Sequence, residues 1–402
     1  MRGFASIIIT GIILFFSGCT PKISPDLTVP NFSIETHSGV EIGEQNLAEI
    51  SQTVMDDFDY YGLSFYLKDI VAVAIDDSGK ASRIKSKEGS PILVSEEWVG
   101  FKGRFETVLI RAPNADIYIE NKKLKLEWAD SAEKKIDIFT GRQGELKTSL
   151  EGVPDVYNLK YIQLPKIIRY LCYLVDWIYT SIVELLSVSW GVGLIIFAVL
   201  IRFLMFPILN LTKKAQHVVN LHRSELQPLH AEIKKTLKGE KAHKELMKTY
   251  KDRKITPYYT LKPLLFTLLG LPILIAIFNM LGEIPYFQTA SFLWFDSLAY
   301  PDNFATLPIS LPFFGNRLNL LPFFMTAVTI IASMFLKGED TSAADLKRQK
   351  INLYLMAFVF FLLFYNFPSG MVFYWTIASA LAIFASHFEP IKKLKLWFVR
   401  GL

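Results

Sequence analysis

The 402-residue chain reads as a multi-span α-helical membrane protein that carries an extracytoplasmic β-sandwich domain in its N-terminal part. Three observations predict this. Hydrophobic residues make up 51% of the chain and charged residues only 20%, with a mean hydropathy of +0.30, well above that of ordinary soluble proteins. Apolar runs long enough to cross a bilayer gather after residue 190. Between the N-terminal leader and about residue 150 the composition is polar, with short stretches rich in β-branched and aromatic residues.

Residues 1–18 begin with one Arg and a run of Ile, Leu and Phe, and end in Ser17-Gly18 ahead of Cys19. This is an export leader rather than a core helix. The small pair before Cys19 resembles the bacterial lipoprotein signal, cleaved before a cysteine that then takes a lipid, although Phe16 stands where leucine is usual. The alternative is an uncleaved signal anchor. Both place the following segment outside the cytoplasm. Cys19 and Cys172 are the only cysteines, too few for a disulfide framework.

Residues 19–150 form the predicted β-domain. "LSFYLKDIVAVAI", "RFETVLIRA" and "ADIYIENKKLKLEW" supply the strands, and the last alternates apolar and polar residues around a polar turn. The domain is long enough to bury its own core. Residues 151–189 are a linker and an amphipathic helix. Pro165 suits a helix start, Lys166, Arg169, Tyr173, Asp176, Thr180 and Glu184 recur on one side, and Ile167, Ile168, Leu171, Leu174, Ile178 and Ile182 cover the other. Such a helix is expected to lie along the outer membrane surface with its apolar side in lipid.

Residues 190–402 contain five expected spans. The first three are Gly191 to Leu211, Pro263 to Leu281 and Asn319 to Leu336. The run from Ile351 to His387 would measure roughly 55 Å as one helix against a core of about 30 Å, so it is two spans, broken at "NFPSG". Each of these two is short, roughly 24 to 26 Å, and is expected either to thin the bilayer locally or to be extended by flanking residues such as Phe367 and Pro368.

Lys and Arg crowd the segment between the first two spans, from Lys213 and Lys214 through Arg223 to Arg253 and Lys254, whereas Gly282 to Leu318 holds only Arg317. The positive-inside rule makes the first segment cytoplasmic and the second external. The basic tail 388–402 falls inside, so the C-terminus is cytoplasmic. The cytoplasmic segment 213–257 reads as a charged helical hairpin turning at Lys238-Gly239-Glu240, with little apolar surface of its own. Its basic excess fits anionic lipid or ribosomal RNA. His217, His222, His230 and His243 lack zinc spacing and are taken as surface residues.

The candidate functional residue is Arg202, inside the first span. A central Arg costs roughly 2.5 to 3.5 kcal/mol, which the surrounding Leu, Ile and Phe offset. The guanidinium stays charged, yet no Asp or Glu occurs in the other four spans. A water-filled cavity is the expected solvent. Asn210, Gln216, Thr267, Asn279, Thr329, Asn352, Tyr374 and Thr376 are polar residues able to line it, each with helix–helix hydrogen bonding as the plainer alternative.

Several ordered motifs resemble the YidC family of membrane protein insertases, relatives of the mitochondrial oxidase-assembly and chloroplast albino proteins. "IDIFTGRQGELKTSL" resembles the last external strand and the approach to the membrane. "WGVGLIIFAVLIRFLMFPIL" is similar to the first core span, with Arg202 at the family's groove arginine. "LQPLHAEIKK" and "ELMKTYKDRKITP" resemble the cytoplasmic hairpin, "KPLLFTLLGLPILIAIFNML" the next span and "NFPSGMVFYW" the final turn. Departures are a shorter external domain, Cys19 in place of a retained N-terminal helix, and Lys262 with "LLG" in place of a small, amide-bearing stretch.

The resemblance implies a five-helix insertase core in the bacterial inner membrane, with a hydrated, positively charged groove that helps nascent polypeptides enter and fold, with or without the Sec translocon. Arg202, Asn210, Gln216, Thr267, Asn352, Tyr374 and Trp375 are the expected groove residues, and Cys19 the expected lipidation site. Implied partners are nascent membrane proteins and the lipid bilayer, with the Sec translocon and the ribosome as candidates, and no DNA. A small-molecule transporter or channel is the alternative, against which stand the missing buried carboxylates and the lack of an inverted repeat. A lipoprotein scaffold leaves Arg202 unexplained. Neither cofactor nor enzymatic activity is expected, because no metal cluster, nucleophile–base spacing or phosphate loop is visible.

Overall fold

A computed structural model describes residues 32–38, 58–85, 92–94, 97–113, 115–120, 123–128, 135–142, 156–253, 255–334 and 343–387. The leader with Cys19 and the tail 388–402 lie outside the described residues. The chain divides into two units, one of residues 1–194, 276–320 and 365–371, the other of 195–275, 321–364 and 372–402.

The first unit is built on antiparallel strands. β1 (Phe32–Ser38), β2 (Val71–Ile75), β3 (Ala81–Arg83), β5 (Trp98–Lys102), β6 (Glu106–Arg111) and β9 (Lys135–Arg142) form a six-stranded sheet in the order β1-β9-β6-β5-β2-β3. β4 (Ile92–Val94), β7 (Ala115–Glu120) and β8 (Lys123–Trp128) form a second sheet in the order β4-β7-β8. β7 and β8 are the hairpin expected from the sequence, with Glu120 opposite Lys123. Side chains along a strand alternate between faces, so each strand can feed two cores. Ala72, Ala74, Val99, Phe101, Val108 and Ile110 meet Val94, Ile117, Ile119 and Leu124 of the smaller sheet. The opposite face carries Val71, Val73, Ile75, Trp98, Leu109 and Phe139, covered by Val156, Leu159 and Ile162 of the segment that follows the domain. Burial on both faces explains why β2 and β5 read as continuous apolar runs rather than alternating ones. The "LSFYL" stretch expected as strand is instead part of a 3-10 helix, Gly62–Lys68.

α1 (Lys166–Leu186) starts directly after Pro165, as the sequence predicts. Its polar side is partly turned into protein rather than water. Asp176 is buried against Lys160 at 2.7 Å, the Tyr173 hydroxyl reaches the carbonyls of Tyr157 and Lys160, and Arg169 Nη2 donates to Ile162 O at 2.7 Å. The carbonyls and the Lys160 ammonium of the preceding segment supply partners, so these groups can leave water without losing their hydrogen bonds. Cys172, Val175, Tyr179 and Val183 are buried beside them. The Cys172 thiol is pushed up to about 12 by burial, with the carboxylates of Glu283 and Asp176 acting the same way. Between the exposed Lys166 and Glu184 near its ends, α1 exposes an apolar stripe of Ile167 (74% exposed), Tyr170, Leu174 and Trp177 (61%), spaced three and four apart.

The β5–β6 turn holds further buried charge in this unit. Lys102 Nζ lies 3.1 Å from Glu283 Oε2, with side chains only 3% and 10% exposed, and Gln163 completes the cluster from the other carboxylate oxygen. Arg104 donates to the carbonyls of Gly282 and Ala299 at 2.6 and 2.8 Å and bonds to the Tyr60 hydroxyl. Burial pushes the nearby Tyr66 phenol up to about 12, Arg104 opposing the shift.

The second unit takes its helices from the apolar half of the chain. α2 (Trp190–Leu204) contributes its residues from Ile195 onward, followed by α3 (Phe206–Thr236) and α4 (Gly239–Asp252). α5 (Lys262–Gly282) lies in this unit up to Ile275. α6 (Leu321–Met334) packs Phe323 on Phe361 of α7 (Ala343–Phe364), ring centroids 4.8 Å apart, and α8 (Ser369–His387) completes the unit from Val372. The break between α7 and α8 falls where "NFPSG" announces it. Among the described residues, the helix through Tyr259–Gly282 is long and apolar enough to cross a membrane by itself, α2 and α3 qualify as a bent pair, and Leu321–Ile331 and Ser369–Phe384 are shorter apolar helices.

The α3–α4 hairpin turns at Gly239, whose φ of +60° a glycine adopts without strain. It has its own small core, contrary to the charged pair expected from the sequence. Val219, Leu226, Ile255 and Tyr259 are buried together with Tyr250 against them. His222 stacks edge-on against Tyr259 and His230 against Tyr250, each at 5.3 Å, so these two are packed residues rather than the surface histidines expected; His217 and His243 are exposed.

Candidate functional site

The first apolar run does not form one helix through Leu211. α2 ends at Leu204, α3 begins at Phe206, and the two axes differ by 52°. Pro207 is the cause: it has no N–H to offer the Phe203 carbonyl, and its ring crowds that oxygen in a continuous helix. Met205 N still reaches Ile201 O at 2.8 Å, and Leu209 N reaches Met205 O at 3.0 Å, so only the intervening turn is lost.

The break changes the setting of Arg202, which lies in the last turn of α2 rather than mid-helix. A cation there faces the negative end of the helix dipole, worth about 0.3–1 kcal/mol in exposed settings and up to about 2 when partly buried. The side chain is half-buried, and Tyr374 of α8 is the titratable neighbour within electrostatic reach of it. Among the described residues no carboxylate lies within ion-pair distance of Arg202. Tyr374 is buried and its ring packs on Phe197 of α2 at 5.9 Å. Trp375, next along α8, meets Phe360 and Phe364 of α7 at 5.5 and 5.7 Å and therefore braces the helices.

Of the other expected groove residues, none hydrogen-bonds Arg202. Asn210 is half-buried on α3, Gln216 is exposed and donates to Asn220 Oδ1 at 3.1 Å along the same helix, and Asn352 is exposed on α7. The Thr267 hydroxyl is bonded to Pro263 O at 2.9 Å, and those of Thr329 and Thr376 to Met325 O and Val372 O. These threonines satisfy themselves within their own helices. Phe197 was not expected from the sequence, where it is one apolar residue among many. Pro207 was visible, and its steric consequence is the signal that would have placed Arg202 at a helix end. No group of three or more His, Cys, Asp or Glu that could hold a metal occurs among the described residues.

The family model of the 60Kd inner membrane protein matches residues 181–393, more than half of the chain. The chain belongs to this family, that of the YidC insertases. It is 33% identical over 204 residues to the membrane protein insertase YidC of Treponema denticola, covering 48% of this chain and 33% of the relative. It is 32% identical over 218 residues to that of Syntrophobacter fumaroxidans, covering 53% and 36%, and 26% identical over 234 residues to that of Bacteroides fragilis, covering 57% and 37%. The matches thus span about a third of the length of these relatives. A crystal structure of an active YidC insertase with its first transmembrane domain resolved aligns over 79% of this chain and 83% of its own, at 16% identity and a TM-score of 0.39.

Proposed function

We propose that this chain is a membrane protein insertase and chaperone of the bacterial inner membrane, helping nascent polypeptides enter the bilayer at a hydrated, positively charged groove around Arg202 and Tyr374. Family membership and the names of the relatives support the class. The observation that carries the mechanism is the half-buried Arg202 guanidinium without a carboxylate within ion-pair distance among the described residues. A cation so placed must be solvated by water, carbonyl oxygen or an arriving polar segment. It would therefore stabilise acidic or polar stretches of a client part-way across the membrane. Asn210, Gln216, Thr267 and Asn352, exposed or half-exposed, would line the approach.

In this reading residues 19–150 lie outside the cytoplasm, 151–189 carry α1 along the outer membrane surface with Ile167, Tyr170, Leu174 and Trp177 in lipid, and 190–402 cross five times, leaving the hairpin 213–257 and the C-terminus inside. The positive-inside distribution of Lys and Arg supports that topology. The short apolar helices Leu321–Ile331 and Ser369–Phe384 suit a locally thinned bilayer, which shortens the path of a polar segment. Cys19 would carry the lipid anchor. The Sec translocon and the ribosome would be partners, the latter through the basic hairpin.

The test is insertion of matched small membrane proteins, with acidic or neutral external segments, in cells depleted of the chain and rescued with wild type or Arg202→Ala. Pulse-labelling should show the acidic client failing more than the neutral one. Equal insertion of both by Arg202→Ala would refute the electrostatic role.

A further inference from the structure

Lys262 takes no part in the proposed groove. It is the first residue of α5 and is exposed. At about 1.5 Å per residue the 24-residue helix Tyr259–Gly282 is about 36 Å long, against a hydrocarbon core of about 30 Å, so a helix that crosses the bilayer carries its end residues into the headgroup layer. Side chains exposed at that level meet phospholipid headgroups. From Arg253 to Leu281 the chain holds no Asp or Glu that could neutralise Lys262 locally.

Lys262, Leu265 and Leu269 recur three and four residues apart, which sets them on one side of α5. Leu265 is 61% exposed and Leu269 58%. Thr267, a residue of the proposed groove, lies roughly half a turn around the helix from these leucines, so their stripe is not the groove side. Tyr258 stands one 3-10 turn ahead of α5, its carbonyl accepting from Leu261 N at 2.9 Å, and is 72% exposed. Side chains lean toward the N-terminus of their helix, so the Lys262 ammonium is carried toward the end marked by Tyr258 and away from the leucines. A cation and a phenol above a leucine stripe are complementary to an anionic phospholipid, whose phosphate meets the ammonium while its acyl chains lie along the stripe. RNA or a free acidic peptide would leave the leucines unused.

We propose that Lys262, with Tyr258 beside it, is a headgroup site for one anionic phospholipid whose acyl chains cover Leu265 and Leu269. The site rests on α5 crossing the bilayer and does not need the insertase reading. On the topology proposed above, the lipid belongs to the cytoplasmic leaflet. It would hold this end of α5 at a fixed depth in the membrane.

The full chain, purified in detergent, is titrated with phosphatidylglycerol or with phosphatidylethanolamine of the same acyl chains, and the adducts are read by native mass spectrometry. Wild type should bind its first phosphatidylglycerol about fivefold more tightly than its first phosphatidylethanolamine, the effect of one lysine at an anionic headgroup. Lys262→Gln should remove that preference and Lys262→Arg should keep it. Lys241→Gln, an exposed lysine of α4, should leave it intact. No preference in wild type, or a preference that survives Lys262→Gln, would overturn the proposal. An equal loss from Lys241→Gln would overturn it by showing diffuse attraction to the basic hairpin. Displacement of the lipid by an equal concentration of glycerol 3-phosphate would overturn it by showing a phosphate site without acyl contact. The insertase reading is judged by Arg202→Ala, so either claim can fail alone.

Discussion

Lys102 in the first unit and Arg202 in the second are both cations withdrawn from bulk water, and only Lys102 has a carboxylate beside it. The first unit surrounds its buried charges with partners: Lys102 with Glu283, Lys160 with Asp176, Arg104 with two carbonyls. The second unit keeps Arg202 in electrostatic range of the Tyr374 phenol, with no carboxylate within ion-pair distance among the described residues. Paired charges specify a fixed structure, whereas a charge short of partners is a binding site waiting for one. The difference separates the part of the molecule that holds its shape from the part proposed to handle clients.

The largest effect should come from breaking a pair in the first unit. Glu283→Ala strands Lys102 and should cost about 3–5 kcal/mol, read as a lowered thermal midpoint of the purified protein in detergent. A midpoint shift no greater than that of Arg202→Ala would erase the contrast between the units. Next comes packing: a Cβ on Gly191 would lie 2.1 Å from the Phe292 ring, so Gly191→Val should cost about 1–3 kcal/mol in the same assay. A neutral result would mean that the ring gives way freely.

A smaller effect should appear with pH. The Cys172 thiol is raised from 9.0 to about 12 by burial, so folding favours its protonated form. Its contribution is therefore whole below about 9 and is lost as pH climbs toward about 12. Cys172→Ala should flatten that part of the stability profile between these values, and an unchanged slope would show that the thiol is not responsible. The smallest stability effect belongs to Arg202→Ala, about 0.3–1 kcal/mol, because a helix-end charge is lost but no ion pair. A large destabilisation would assign Arg202 a structural role.

The sequence made the apolar helix α5 and the β7–β8 hairpin legible because each keeps one pattern over enough residues to stand out. The ends of α5 fall within a residue of the expected span, and Pro165 marks the start of α1. Other features depended on contacts distant in sequence. "LSFYL" alternates like a strand, yet the positive φ at Gly62 starts a 3-10 helix there. The polar side of α1 looked solvated because its partners, Lys160 and the carbonyls of 157–164, lie on another segment. His222 and His230 looked exposed because the tyrosines that cover them come later in the chain. β10 (Ala305–Leu311) and β11 (Gly315–Leu318) escaped notice, their alternation interrupted by Pro308 and Pro312.

The site was legible in the same uneven way. Arg202 announced itself as the lone charge in an apolar run. Tyr374 was one polar candidate among several, and which of them faces Arg202 depends on helix rotation, which composition does not encode. Trp375 turned out to pack between aromatic rings of α7.

The most direct measurement compares two thiols in the full chain. Arg202→Cys and the native Cys172 are challenged in inverted membrane vesicles with a water-soluble maleimide that does not cross the bilayer. The account predicts that Arg202→Cys reacts from the cytoplasmic face while Cys172 stays unmodified until the protein is unfolded. An Arg202→Cys thiol as inert as Cys172 would contradict it, because the position would then be dry.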